Sequence, residues 1–276
     1  MCPYITFYLP HLGIFFIPSY SLFAFVGLFF TMVFLNTRLQ KREISFERFL
    51  ILMLFMGLGV GLGSKALFIF TKIPEILQEF SLQKTLYIIW TSGFVFYGGL
   101  LGAIAGIWCF AHLFRIPFHS LLEVIVPGFP LFHFWGRIGC FFAGCCYGQA
   151  ASWGIPLAAE PGIPRIPIQL IEAACLALIF IGLLLLECTK GSRLSLLKCY
   201  LLSYSVCRFI LEFFRGDEVR GIWFGLSTSQ WISAGIFCSI MAILIVRKST
   251  AHSTPPPSIK GACRTSSCQN KEFSRS

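Results

Sequence analysis

The sequence predicts an all-α polytopic membrane protein, and three observations carry that class. Only 12% of the 276 residues are charged, about half the share of a soluble domain. Mean hydropathy is +0.77. Apolar stretches of about 20 residues, the length that crosses a hydrocarbon core, recur along the chain. The net charge of +10 would raise the question of nucleic acid in a soluble protein. Here the Lys and Arg sit in short loops and in the tail, where they set topology, so no nucleic-acid partner is expected.

Seven stretches qualify as spans: Ile14–Leu35, Phe49–Phe70, Gly93–Phe114, Leu121–Phe142, Ile168–Glu187, Leu196–Phe214 and Gln230–Val246. Each is read as a helix, because a chain crossing lipid has to satisfy its own backbone. The first is too long for a signal-peptide core and lacks a basic start and a small-residue cleavage site, so it is expected to be retained. Arg38, Lys41, Arg42 and Arg48 follow the first span, Arg115 the third, and Lys190, Arg193 and Lys198 the fifth; more basic residues fill the tail. The opposite loops carry Lys72, Lys84, Arg165, Arg215 and Arg220. Because cytoplasmic segments hold the excess of basic residues, the N-terminus is expected on the periplasmic side and the C-terminus in the cytoplasm. Residues 1–248 then form one seven-span catalytic domain. Residues 249–276, rich in Pro, Ser and Lys, are expected to be a disordered cytoplasmic tail.

Glycines mark close helix contacts. Gly98, Gly102 and Gly106 recur every four residues on the third span, and Gly57, Gly59, Gly61 and Gly63 crowd the second, a spacing that lets helix backbones approach in lipid. Pro127, Gly128 and Pro130 predict a kink or break in the fourth span.

The stretch Trp135–Gly148 sets a permanent cation, Arg137, in an otherwise apolar run. A charge at the bilayer centre costs about 2.5–3.5 kcal/mol even on lenient insertion scales, so Arg137 needs a partner or a task. With the orientation above, Tyr20, Lys65, Tyr97, Arg137, Arg165, Gln169, Glu172, Arg208, Glu212 and Arg215 all fall toward the outer face. The charges expected at inner ends, Glu123 and Glu187, are placed to snorkel to the interface. Tyr204, Arg208, Glu212 and Arg215 share one helix face, with Arg208–Glu212 an i,i+4 pair. Five cations (Lys65, Arg137, Arg165, Arg208, Arg215) face two carboxylates (Glu172, Glu212), and the surplus calls for an anion. The planar fork of Arg suits phosphate, and a lipid headgroup already lies at this depth.

Most of the 12 Cys lie singly in apolar runs as small hydrophobes. Cys140, Cys145 and Cys146 leave three readings open. Packing is the default. A disulfide would require the helix to end between Cys140 and Cys145. A metal would ordinarily want a second pair of ligands, which the sequence lacks, so no metal or other cofactor is expected. His112 and His133 read as packing or interface residues.

At these residues the chain resembles the prolipoprotein diacylglyceryl transferase family. The Arg-centred signature of that family, Gly-Arg-x-Gly-Asn-Phe-x-Asn-x-Glu-x-x-Gly, stands here as Gly136-Arg137-Ile138-Gly139 followed by Cys140 through Gly148. Phe96-Tyr97-Gly98-Gly99-Leu100 matches its Phe-His-Gly-Gly-Leu block. Arg165-Ile166-Pro167-Ile168-Gln169 through Glu172 matches Arg-His-Pro-x-Gln-Leu-Tyr-Glu, and Tyr204, Arg208 and Glu212–Arg215 match the last block in full. Cys140, Ala143 and Cys145 stand where the family has two Asn and a Glu. Tyr97 and Ile166 replace its two His. The resemblance implies an inner-membrane transferase with its active layer near the periplasmic leaflet. It would take phosphatidylglycerol, move the diacylglyceryl group to the thiol of a prolipoprotein lipobox cysteine and leave glycerol 1-phosphate. Arg137, Arg208, Glu212 and Tyr97 are then the expected catalytic residues. Arg137, Arg208, Tyr204, Tyr20, Lys65, Arg165, Gln169, Gly148 and Arg215 are expected to bind substrate. Two other classes account for parts of the pattern: an anionic-lipid transporter or scramblase, and a thiol oxidoreductase using the Cys cluster.

Overall fold

The computed structural model describes residues 3–9, 13–78, 81, 83, 96–157, 162–189, 195–216 and 221–253. Its helices are α1 (Ser19–Gln40), α2 (Phe46–Gln78), α3 (Phe96–Leu113), α4 (Phe118–Ile125), α5 (Gly128–Ala143), α6 (Ile168–Cys188), α7 (Leu196–Leu211) and α8 (Thr228–Ser253). Two-stranded hairpins pair β1 (Tyr4–Leu9) with β2 (Gly13–Pro18), β3 (Ala150–Pro156) with β4 (Pro164–Arg165), and β5 (Ile222–Trp223) with β6 (Leu226–Ser227). Residues Met1–Phe237 form one compact unit, and Cys238–Ser276 a second that holds the distal part of α8.

The chain is an all-α polytopic membrane protein. Among the described residues five helical segments are long and apolar enough to cross a membrane: Ser19–Gln40, Phe46–Pro74, Phe118–Ala143, Ile168–Cys188 and Thr228–Val246. Gly98–Leu113 adds a shorter apolar helix. The expected first span starts five residues too early. Ile14–Pro18 belong to β2, and helix starts only at Ser19. Pro18 sets the boundary: its backbone is extended at φ −58° and ψ 126°, and the residue before a proline is steered away from helix. The third span is expected from Gly93, but residues 84–95 lie outside the described residues, as do those of the tail from 254 onward. Helix α8 itself continues through Ser249 to Ser253. The break expected in the fourth span falls between Ile125 and Gly128, where α4 gives way to α5.

Lipid gives helices little hydrophobic reason to associate, so close packing has to do it. Helices α2 and α3 meet along interlocking glycines. A Cβ on Gly102 would sit 1.9 Å from the Gly59 carbonyl oxygen, and one on Gly63 would sit 2.3 Å from that of Gly98. Gly57 and Gly61, on the same glycine-rich run, face open space, so only alternate glycines serve the contact. Helix α5 packs on α1 and α6, and α6 on α7. The α1–α5 seam is aromatic: Phe30 stacks on Trp135 at 5.4 Å and Phe23 on Phe142 at 4.8 Å.

Polar contacts gather at both ends of this unit. Where α6 ends, Arg38 grips Glu187 with both terminal nitrogens (2.5 and 2.9 Å) and donates through Nε to the Val124 carbonyl. Beside it, Glu123 accepts from the Ser195 hydroxyl and from the Leu196 N–H at 2.7 Å, which caps α7. These carboxylates do more than reach toward water; they clamp α1, α4, α6 and α7 together. The end where α6 begins carries the candidate site.

The glycine contact makes a paired prediction. Gly102→Val should destabilise the detergent-purified protein by about 1–3 kcal/mol, the usual range for overpacking, seen as a lowered thermal midpoint. Gly61→Ala should leave the midpoint unchanged.

Candidate functional site

The site is built around Glu172, in the second turn of α6 and only 1% exposed. Arg137 of α5 reaches its Oε1 through Nη2 at 2.9 Å. The Tyr204 hydroxyl of α7 donates to the same oxygen at 3.1 Å. Arg208 of α7 donates to Oε2 through Nη1 at 3.4 Å. The other terminal nitrogen of Arg208 lies 2.8 Å from Glu212 Oε2 and 3.4 Å from Ser229 Oγ. Arg215 Nη1 approaches Glu212 at 3.9 Å. The result is an alternating chain, Arg137–Glu172–Arg208–Glu212–Arg215, drawn from α5, α6, α7 and the 3-10 turn Glu212–Phe214 that ends α7. Among the described residues the chain alternates three cations with two carboxylates. Buried charges persist only when paired and hydrogen-bonded, and here each carboxylate serves more than one arginine.

One donor of this ion-pair chain, Arg137 Nε, finds no acceptor among the described residues. Arg137 is 13% exposed, and its buried Nε has no hydrogen-bond partner. An unsatisfied buried donor costs about 1–3 kcal/mol, so this N–H marks a place for an acceptor.

The loop after α5 frames the site. Gly144 takes the left-handed conformation at φ 75°, a backbone shape that glycine adopts without strain. The Gly144 N–H returns to Phe141 O, and the Cys145 N–H to Cys140 O. That pair of bonds is a Schellman motif, and it satisfies the last carbonyls of α5. Gln169, also 1% exposed, donates through Nε2 to Cys145 O at 2.6 Å. Its Oε1 is buried without a partner. The Gly148 N–H bonds Ile166 O, the Gln149 N–H bonds Phe214 O, and the Gly216 N–H bonds Tyr147 O. Gly148 is pinned so tightly that a Cβ would lie 2.7 Å from both Ile166 Cβ and Ile166 O. The segments carrying Arg137, Arg165 and Arg215 are thus stitched by their backbones. Arg165 lies over the Tyr147 ring at 4.5 Å.

The helix end also gathers sulfur. The Sγ atoms of Cys140, Cys145 and Cys146 all lie within 4.8 Å of one another. Hydrogen bonds from the Cys140 and Cys145 thiols, aided by the guanidiniums of Arg137 and Arg215, hold the Cys146 thiol well below the ordinary cysteine range.

The sequence-predicted residues therefore separate into groups. Arg137, Tyr204, Arg208, Glu212 and Arg215 share one network, and Gln169, Gly148 and Arg165 frame it. Tyr20, 49% exposed, packs its backbone on Gly139 of α5. Lys65 stands half-buried on α2, whose main packing partner is α3. Tyr97 lies in the first turn of α3, and its side chain is outside the described residues. Glu172, which the sequence offered only as one of two opposing carboxylates, is the hub. The readable signal was its spacing of three from Gln169, which puts both on one helical face. His133, read as packing, lies with Nε2 3.9 Å from Glu172 and its ring edge-on to Tyr204.

Comparison with known proteins places this architecture. Residues 8–246 match the family model described as prolipoprotein diacylglyceryl transferase. The chain is 35% identical over 229 residues to phosphatidylglycerol--prolipoprotein diacylglyceryl transferase 2 of Clostridium perfringens, covering 78% of this chain and 84% of that protein. It is 31% identical to the phosphatidylglycerol--prolipoprotein diacylglyceryl transferase of Clostridium tetani, covering 82% and 91%. It is 30% identical to that of Pseudoalteromonas atlantica, covering 88% and 90%.

Two outcomes check this geometry. Glu172→Gln should cost about 3–5 kcal/mol of stability, because it strands two buried cations; thermal unfolding in detergent reads it. The alkylation rate of Cys146 should stay high below pH ~8.5, the usual thiol pKa. A pH–rate profile that breaks at the usual value would contradict the assignment.

Proposed function

The chain belongs to the prolipoprotein diacylglyceryl transferase family, and on that premise we propose that it transfers the diacylglyceryl group of phosphatidylglycerol to the cysteine thiol of a prolipoprotein lipobox. Residues 1–248 are the catalytic domain in this reading. Helices α3 and α7, the latter extended by its 3-10 turn, complete seven spans. The N-terminus is periplasmic and the C-terminus cytoplasmic, which sets the arginine network at the periplasmic leaflet of the inner membrane. The excess of basic residues in the loops at the opposite end supports that orientation.

The observation that supports the reading is the buried Nε of Arg137, which has no hydrogen-bond partner among the described residues. In the reaction the acceptor thiol releases its proton to solvent water, sulfur attacks the diacylglyceryl carbon, and an S–C bond forms as the C–O bond to phosphate breaks. The electron pair departs on the phosphate oxygen, so a phosphodiester bearing one negative charge becomes a monoester bearing nearly two. Donors fixed before the reaction stabilise such developing charge without reorganising. Arg137 and Arg208 fill that role, each held in place by Glu172, with Glu212 orienting Arg208 from its far side. Tyr204, bonded to Glu172, and Gln169, bonded to the Cys145 carbonyl, position the headgroup in this proposal. Arg215, Arg165 and Lys65 supply further positive charge toward the anionic lipid. Tyr20, Gly148 and Tyr97 complete the substrate surface in this proposal. Tyr97 stands where the family has a His and acts as an orienting hydrogen-bond partner of the reacting groups.

Arg137→Ala should lower turnover by at least about 10²–10³-fold, the range for losing one preorganised donor, with membrane insertion intact. Arg137→Lys should recover little, because a point charge lacks the fork. The assay is release of glycerol phosphate together with the mass gain of a lipobox peptide. Undiminished turnover in Arg137→Ala would refute the role. Lipid movement without glycerol phosphate release would point to a transporter instead.

A further inference from the structure

We propose that Cys140, Cys145 and Cys146 form a binding site for a single thiophilic d10 metal ion of the zinc class, held by three thiolates at the C-terminal end of α5. On a continuous helix Cys140 and Cys145 would point apart. The Schellman turn at Gly144 brings together the residue three positions before the cap and the residue just after the turn, and here both are cysteines. Cys146 follows with a left-handed backbone at φ 57°. That unfavourable conformation for a side-chain-bearing residue accompanies its thiol into the same cluster.

Three sulfurs with mutual separations within 4.8 Å suit a metal better than a disulfide. With metal–sulfur bonds of about 2.3 Å, three ligands stand roughly 4 Å apart, so closure needs only a small shift. A disulfide needs a sulfur–sulfur distance of about 2.05 Å and would leave the third thiol without a use. Binding balances without an oxidant: three thiols release three protons to solvent, three sulfur–metal bonds form, and no atom changes oxidation state. A divalent ion with three thiolates carries one negative charge. Arg137, one turn before Cys140, and Arg215, whose backbone bridges to Gly148, supply the countercharge. Cys145 is exposed, which leaves a fourth position open on that side. The ion would staple the turn whose Cys145 carbonyl receives Gln169. None of the three side chains belongs to the alternating ion-pair chain, although two of its arginines, Arg137 and Arg215, supply the countercharge.

The test uses the full chain, purified in detergent with its thiols reduced, and Cd²⁺ as the probe. The thiolate–metal charge-transfer absorbance should saturate at one ion per chain. Cys140→Ser, Cys145→Ser and Cys146→Ser should each weaken binding by at least about tenfold, the lower bound seen even when a metal site loses an outer partner. Should a variant fail to fold, Cd²⁺ protection in the unsubstituted chain decides the matter. Alkylation mapped by peptide mass should be suppressed at these three cysteines and unchanged at the exposed Cys109 and Cys238. Equal alkylation of the three with and without Cd²⁺ would overturn the proposal. So would a wild-type titration matching the triple serine variant, or a disulfide joining two of the three in protein purified without oxidant.

Discussion

A single buried carboxylate, Glu172, holds two guanidiniums that arrive on different helices. Removing these groups from water is costly, and their mutual attraction offsets that only when the geometry and remaining hydrogen bonds are right. Tyr204 fills one further position on Glu172, and Glu212 takes the far side of Arg208. The angle and depth at which α5, α6 and α7 meet are therefore tied to the positions of two arginine side chains. Any change that separates these helices also separates the cations that the proposed chemistry uses.

The opposite end follows the same logic with different members. Arg38–Glu187 and the carboxylate of Glu123 at the start of α7 tie α1, α4, α6 and α7 where α6 ends. Between the two polar ends the chain relies on shape: the aromatic seam of α1 and α5, and the glycine contact of α2 and α3. This division suits lipid, where an apolar surface gains little from leaving the solvent and close packing has to supply the association. It also leaves the polar end that carries the arginine network as the place where the proposed reading puts the lipid phosphate.

What the sequence revealed depended on whether a contact is local. Arg208 and Glu212 are one helical turn apart, and their pairing at 2.8 Å follows from spacing alone. Pro127 and Gly128 announced the break between α4 and α5, since proline interrupts a helix by its own covalent structure. The link between Arg137 and Glu172 crosses from one helix to another, and no periodicity reports it; composition could count the charges but not choose the hub. Cys140 and Cys145 were ambiguous for a related reason. Their separation turns on whether the helix ends at Gly144, and a single left-handed residue reverses the answer. The sequence leaves the start of α1 ambiguous because the apolar run from Ile14 to Pro18 serves a strand as readily as a helix, and Pro18 decides between them. Membership of the transferase family was legible in four ordered blocks, and the match over residues 8–246 bears it out.

The measurement that bears most directly on the Glu172-centred network is lipid binding rather than turnover. The purified chain, Arg137→Gln and Arg208→Gln can each be titrated with phosphatidylglycerol and with zwitterionic phosphatidylcholine. If the two arginines hold the headgroup, the unmodified chain prefers phosphatidylglycerol and each variant loses at least about tenfold in its affinity, near 1.4 kcal/mol. Equal phosphatidylglycerol binding by all three proteins would contradict it.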